Sequence, residues 1–369
     1  MSGQDRIAAV CVALAARLGV PVADLHPLPD TGLAHDHVRI GDTGTLARVP
    51  KQSQLGLAAA ENLDYQAACF ARASASGHVP HLHEKLSPDD GLPMGALIVD
   101  LIDGKPLALP GDLAAMAECL AAIHALPLPE SNQRAPLKDP VDPMADTFME
   151  IMTQAAYIAA ADLHPDAESR IREELQAAGA TLARKARPPR TLIAFDAHPG
   201  NYLMTSDGPA EGGAILVDLE KARYGAAAFD LAHATLYTST TWDVDSHAVL
   251  DRAQVADFHQ VWLDTVPGDL AAATEPWLLP LRRMMWLWSV TWCAKWQVES
   301  RQSAETVAAG NTSTENWSAE LSEDALVAHV AGRVDDYLDP ETITRVRADW
   351  HDATQSPGPA ASIQSARAG

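Results

Sequence analysis

The sequence predicts an α+β chain of two unequal lobes, a small β-rich amino-terminal lobe and a larger helical carboxy-terminal one. Three observations carry that reading. Residues 26–50 alternate short β-prone runs with turn residues, and the compact apolar run Ala96–Ile102 ends in Asp103-Gly104. Beyond it, apolar residues recur mostly at helical spacing. A length of 369 residues exceeds one ordinary domain and suits two lobes around a cleft.

The elements follow in order. MSGQDRIAAVCVALAARLGV places apolar residues at helical spacing, interrupted by Arg17, and reads as a soluble helix without the continuous apolar segment of a leader. His26–Pro50 reads as an antiparallel meander with bends at Thr31-Gly32 and Gly41-Asp42. Leu57–Ala75 has helix-forming composition and stops at Ser76-Gly77; the strand Ala96–Ile102 then closes the first lobe, residues 1–103. In the second lobe, residues 104–350, Asp112–His124 is a helix with Asp112 as its expected cap after Pro110-Gly111. Helices are expected through Arg187, where Pro188-Pro189 stops them. Strands are expected at Thr191–Phe195, Tyr202–Met204 and Ala214–Val217, with TSDGPAEGG as a hairpin loop. The polar segment 300–322 is expected to be mobile, and the tail 351–369 disordered.

Composition removes several function classes. Hydrophobic residues make up 47% and aromatics 5%, so the core must be built chiefly of Ala, Leu and Val. A net charge of −22 argues against a nucleic-acid partner, whose phosphates demand a basic surface. Cys11, Cys69, Cys119 and Cys293 lie far apart and read as reduced, buried thiols of a cytoplasmic protein. No 18-residue apolar run is present to span a bilayer, so no membrane partner is expected. His78, His81 and His83 cluster around Pro80 without the spacing of a closed zinc site, and a surface loop is the plainer reading.

The chemistry concentrates in residues 193–234, IAFDAHPGNYLM and then AILVDLEKARYGAAAFDLAHA. A strand ending at Phe195 delivers Asp196 into a loop that holds Pro199-Gly200 and presents Asn201 before the next strand. The strand Ala214–Val217 then delivers Asp218 and Glu220. Asp and Asn offer the hard oxygen donors that Mg²⁺ takes beside nucleotide phosphates. An Asp five positions before an Asn, followed by an Asp after another apolar strand, is the spacing of a catalytic loop and a metal-binding Asp. Asp also favours strand-end turns on its own account, so it is the ordered set and no single residue that carries the reading.

This stretch resembles the aminoglycoside phosphotransferase and choline kinase superfamily, relatives of protein kinases. Its signature runs roughly H-G-D-x-H-x-x-N, then I-D-[FWL]-E, then G-x-x-x-x-D-L-A. The matching pieces here are Phe195-Asp196-Ala197-His198-Pro199-Gly200-Asn201, then Val217-Asp218-Leu219-Glu220, then Gly225 through Phe229-Asp230-Leu231-Ala232. The likeness implies a bilobal protein-kinase-like fold and transfer of the γ-phosphoryl group of ATP or GTP, with Mg²⁺, to a small-molecule hydroxyl. It implies that Asp196 orients or deprotonates the acceptor, that Asn201 and Asp218 hold Mg²⁺ with Glu220 assisting, and that Asp230 is structural. One departure is Ala194-Phe195, which stands in place of His-Gly.

In the first lobe, Arg48 falls where relatives place a phosphate-gripping Lys or Arg, and a guanidinium can grip phosphate with two bonds. Its acidic partner on the next helix has Glu61 and Asp64 as candidates, whereas Gln66 is the best-aligned position. Gly32 stands where relatives carry a glycine turn above the phosphates, although a simple hairpin turn is the plainer reading. The resemblance makes Ala96–Ile102 the hinge, whose backbone at Val99 and Leu101 would meet the base.

For the acceptor, Trp288, Trp292 and Trp296 recur every four residues on one helix face. Burial in the core is the plainer reading of such a stripe. The resemblance offers another, with Trp288 and Trp292 walling a site for a cationic amino alcohol through cation–π contact. The rival function class is a kinase-shaped protein that binds a nucleotide without transferring phosphate, and Ala194-Phe195 is its main support. A metal-dependent hydrolase using the same carboxylates is a third, weaker reading, since the chain lacks the His-rich ligand set that such sites often use. The sequence leaves the acceptor, ATP versus GTP and the oligomeric state open.

Overall fold

The structure, a computed structural model, describes residues 3–29, 34–206, 212–306 and 324–351. Its first lobe runs α1 (Gly3–Leu18), β1 (Leu25–Pro27), β2 (His35–Ile40), β3 (Thr45–Pro50), α2 (Ala59–Ala73), β4 (Leu82–Leu86) and β5 (Ala96–Asp100). The strands form one antiparallel sheet in the order β1-β2-β3-β5-β4; the meander expected over His26–Pro50 is its β1-β2-β3 part. Side chains alternate across it. Ala47 and Val49 of β3 join Ala96 and Ile98 of β5 in a core with Cys11 and Leu14 of α1. Leu97 and Val99 belong instead to the core that contains Leu63 and Phe70 of α2. Arg48, between Ala47 and Val49, is therefore turned away from α1. Its guanidinium carbon lies 5.7 Å from the centre of the Phe70 ring.

The second lobe opens with β6 (Lys105–Pro106), α3 (Leu113–His124), α4 (Pro143–Ala155) and α5 (Pro165–Leu182). Next come β7 (Thr191–Ile193), β8 (Tyr202–Met204), β9 (Ala214–Leu216) and β10 (Arg223–Gly225). The rest is helical: α6 (Ala227–Thr235), α7 (Tyr237–Thr240), α8 (Arg252–Thr265), α9 (Gly268–Thr274), α10 (Leu278–Thr306), α11 (Asp324–Leu338) and α12 (Pro340–His351). Two small antiparallel sheets, β10-β7 and β6-β8-β9, lie among these helices. Buried Leu281, Met284, Met285, Leu287 and Val290 run α10 through the main helical core. The fold is bilobal and α+β, a small sheet-based lobe followed by a larger helical one.

Several boundaries differ from expectation, each for a local reason. β7 stops at Ile193 because Phe195 has φ of +63°, which no strand ladder accommodates. The first-lobe strand ends at Asp100, whose N–H bonds back to the His81 carbonyl at 3.1 Å. Asp112 does not cap α3 with its side chain; its carboxylate accepts from the Ala108 N–H at 2.7 Å. α5 ends at Leu182, not Arg187, and the Arg187 guanidinium folds back to donate to the Leu182 carbonyl at 3.2 Å. β6 and β10, of two and three residues, are too short to show any periodicity in sequence. Helix α10 extends to Thr306, into the segment expected to be mobile. The remainder of that segment, Gly32, the tip of the TSDGPAEGG loop and the tail after residue 351 lie outside the described residues.

Among the described residues no helix is long and apolar enough to cross a membrane. The four cysteines are free and buried.

Gly95, which opens β5, has φ of +71°, and a Cβ there would lie 2.5 Å from the Leu86 carbonyl oxygen and 2.8 Å from Leu63 Cδ2. Backbone cannot yield as a flexible side-chain tip can, so Gly95→Ala is expected to destabilise the protein by about 1–3 kcal/mol. The measurement is the urea midpoint; an unshifted midpoint at unchanged slope would contradict the close approach.

Candidate active site

The loop between β7 and β8 carries Asp196 and Asn201, and a single buried carboxylate shapes its start. Asp230, fully buried in the first turn of α6, accepts from the Ala194 N–H at 2.7 Å and the Phe195 N–H at 2.8 Å. His124 Nε2 lies 3.1 Å from the same carboxylate, and Trp262 Nε1 donates to His124 Nδ1 at 3.0 Å. These bonds explain how Phe195 holds a left-handed conformation that suits glycine. Such a non-glycine residue costs about 1–3 kcal/mol. Hydrogen bonds to a charged group contribute about 1.5–3 kcal/mol each, enough to offset it.

The Phe195 side chain is put to use. Arg223 stacks on its ring with the guanidinium carbon 3.6 Å from the centroid, and Trp288 meets it edge-on at 5.5 Å. Arg223 is itself paired with Glu150 at 2.8 Å, and Trp288 Nε1 donates to the same Glu150 carboxylate at 3.3 Å. Thus the Ala194-Phe195 departure leaves the turn that a glycine would make intact and pins it by packing.

Past that turn, Asn201 Nδ2 donates to the Asp196 carbonyl at 2.8 Å, which leaves Oδ1 as its remaining donor of lone pairs. The Asn201 carbonyl accepts from the Val217 N–H at 2.9 Å, so the Asp196 loop and the Asp218 turn are stitched together directly. From the first lobe, Arg48 reaches across to donate to Asp218 Oδ1 at 2.6 Å and to the Val217 carbonyl at 3.2 Å. Lys221 Nζ donates to Asp196 Oδ2 at 2.7 Å, and His233 Nδ1 sits 3.8 Å from Asp196 Oδ1.

The charges at this junction shift one another. Burial pushes Asp196 up, but Lys221, His198 and His233 outweigh it and hold the carboxyl well below its ordinary range. Burial likewise opposes ionisation of Asp218, and Arg48 and His35 pull it below normal. Glu220 goes the other way: burial and the neighbouring Asp218 push it up to about 8. Its Oε2 is buried with no hydrogen-bond partner, and His35 Nε2 is 3.6 Å away. Burial first, then Arg48, drives His35 well below its usual value, and burial takes His233 down to about 4.

The sequence-predicted residues Asp196, Asn201, Asp218, Glu220 and Arg48 therefore meet at one junction between the lobes. Arg48 finds its counter-charge in Asp218 and not on α2: Gln66 Oε1 bonds His35 Nε2 at 3.0 Å, while Asp64 pairs with Lys85. Val99 faces the α2 side of the sheet, and the Leu101 N–H is donated to the Gly44 carbonyl at 2.9 Å. Trp288 and Trp292 are half-buried, unlike Trp286 and Trp296. Trp288 lies 6.3 Å from His233 by ring centroids, and Trp292 packs edge-on to Trp242 at 5.8 Å.

The model of the phosphotransferase enzyme family matches residues 24–267, which contain every polar residue of this junction. The chain belongs to that family. Among curated proteins none matches it. Solved structures share its fold. An ethanolamine kinase of Plasmodium vivax is 12% identical with a TM-score of 0.55, over 89% of this chain and 84% of its own. A choline/ethanolamine kinase family protein of Mesorhizobium loti is 17% identical with a TM-score of 0.55, covering 94% and 99%. The GDP complex of aminoglycoside 2'-phosphotransferase-IIIa is 13% identical with a TM-score of 0.57, covering 88% and 96%.

In this phosphotransferase the junction also holds three residues that sequence reasoning missed, His35, Lys221 and His233. His35, Asp218 and Glu220 form a cluster with one potential ligand atom each, all within 4.8 Å of one another. His78, His81 and His83 form no such cluster; His83 pairs with Asp100 at 2.6 Å. Lys221 and His233 lay inside the motif stretch itself, one residue after Glu220 and three after Asp230. A buried carboxylate oxygen without a hydrogen-bond partner, on a residue clustered with a second carboxylate, is donor chemistry that suits a hard divalent cation.

Asp230→Ala strands two buried N–H groups and removes the restraint on Phe195, so a loss of about 3–5 kcal/mol in chemical denaturation is expected. Stability within about 1 kcal/mol of the parent would refute the anchoring role. Phe195→Ala keeps the strained backbone but loses the ring, and about 3–5 kcal/mol is expected there too.

Proposed function

We propose that the protein is a Mg²⁺-dependent kinase that moves the γ-phosphoryl group of ATP or GTP onto the hydroxyl of a small molecule, an amino alcohol or an aminoglycoside. The observation that carries this reading is the meeting of Asp196, Asn201, Asp218 and Glu220 with Arg48 from the opposite lobe. The family supplies the reaction class. One structural relative was captured with GDP, which supports a purine nucleotide here. Residues 1–103 then serve as the nucleotide lobe, with Val99 and Leu101 beside the base. Residues 104–350 supply the chemistry, and free buried thiols suit a cytoplasmic setting.

Asn201, Asp218 and Glu220 are the residues that would hold Mg²⁺, which neutralises phosphate charge when bound. The protein's own groups do the positioning. Asp196, held ionised, takes the hydroxyl hydrogen bond and aligns the attacking oxygen. Arg48 exchanges its bond to Asp218 for phosphate oxygens, where its planar fork binds well. Phe195 fixes the backbone that aims Asp196, and its left-handed turn favours transfer over bare nucleotide binding. The half-buried faces of Trp288 and Trp292, on the His233 side of Asp196, offer an aromatic wall to a cationic acceptor.

A phosphate-transfer screen over amino alcohols, aminoglycosides, amino acids and sugars, with ATP and with GTP, identifies the acceptor. With it in hand, Asp196→Asn should cut turnover by about 10²–10⁴-fold while nucleotide affinity stays within about threefold. Undiminished turnover removes Asp196 from its role. Asp218→Asn should weaken nucleotide binding in the presence of Mg²⁺ and should not weaken it without, since Arg48 is released for phosphate; equal Mg²⁺ dependence in the variant counts against the metal assignment.

A further inference from the structure

The geometry points to Lys221 as a further catalytic residue, an ammonium that holds Asp196 and contacts the oxygens of the phosphoryl group in flight. This assignment rests on the phosphotransfer reading above. Lys221 lies in the turn between β9 and β10, one residue beyond Glu220, and its side chain is about one-fifth exposed, so it reaches the cleft without being sealed off. Its Nζ donates to Asp196 Oδ2 at 2.7 Å. Among the described residues no other Lys or Arg lies within hydrogen-bond reach of that carboxylate. An ammonium has three N–H donors, and the bond to Asp196 uses one of them.

The electrostatics of the transfer require such a group. The hydroxyl oxygen of the acceptor forms a bond to the γ-phosphorus, and the bond from that phosphorus to the β,γ-bridging oxygen breaks, its electron pair leaving with the nucleoside diphosphate. The hydroxyl proton goes to Asp196. During this exchange negative charge spreads over the three equatorial phosphoryl oxygens, beside a carboxylate that is itself anionic. Arg48 is on the far side of the junction, paired with Asp218. Lys221 is the cation on the Asp196 side, with its remaining donors free to meet charge as it develops. The bond to Oδ2 also leaves Oδ1, the oxygen nearest His233, as the one that faces the acceptor. Lys221 is not part of the packing that shapes the loop, a task that falls to Arg223, Phe195 and Asp230.

The test uses the full-length chain and its Lys221→Met, Lys221→Gln, Lys221→Arg and Asp196→Asn variants. ADP release from Mg·ATP is followed with water, ethanolamine, choline or kanamycin as acceptor, alongside Mg·ATP affinity by calorimetry and thermal melting. Lys221→Met and Lys221→Gln should lower kcat by about 100-fold, the scale of one preorganised donor. KM for Mg·ATP and the melting temperature should stay near the parent's, and Lys221→Arg should recover most of the rate. A loss in kcat below about threefold, or a loss that tracks a fallen melting temperature and is not rescued by arginine, overturns the proposal. If Asp196→Asn is impaired in the same assay, the kinase reading survives that outcome. Should the parent release no ADP with any acceptor, or Asp196→Asn match the parent, the phosphotransfer reading itself falls and this proposal with it.

Discussion

Asp230 is sealed inside the second lobe and gives its two carboxylate oxygens to the consecutive N–H groups of Ala194 and Phe195, with His124 and Trp262 locked behind it. A buried carboxylate must be saturated with donors or it is ruinously expensive. Here that requirement is met by the backbone at the point where the chain must leave β7 and turn. The need of one charge for partners thereby fixes a left-handed residue, and the left-handed residue aims Asp196. The rest of the junction depends on this grip, since Asn201 and Val217 take their positions from the same loop.

Around that frame the charges divide into two couples. Arg48 with Asp218 spans the lobes, and Lys221 with Asp196 stays within the second. Glu220 belongs to neither and is pushed toward its neutral form by burial and by Asp218. With Glu220 pushed toward its neutral form, the two cations balance the two ionised carboxylates. Each couple is closed on itself: the Arg48 fork is occupied by the Asp218 carboxylate, and the Asp196 carboxylate by the Lys221 ammonium.

How much of this was written plainly in the sequence depended on range. The meander over residues 26–50 and the strand after it were legible because turn residues punctuate runs of β-prone character, and the order Asp196, Asn201, Asp218, Glu220 was legible because those side chains lie within a few residues of their strands. What stayed hidden was set by contacts distant in the chain. Phe195 argued against a turn by its identity, and the partners that hold it, Asp230, Arg223 and Trp288, come 28 to 93 residues later. β6 and β10 exist through their neighbours and carry no pattern of their own. His35 reaches the carboxylates from the other lobe. Lys221 sat in view, but a lysine following a glutamate reads as solvated surface until its bond to Asp196 is seen.

Position 66 of α2 carries no charge, and this has a consequence for control. Gln66 gives that helix an amide where a carboxylate would have answered Arg48, and Tyr65 fastens the helix to the second lobe by donating to the Ala222 carbonyl at 2.8 Å. Swinging α2 outward would withdraw no countercharge from the guanidinium, so an effector that levers on this helix has no electrical handle with which to silence the enzyme. The sensitive contact is the strand-to-turn clasp of Arg48 on Asp218.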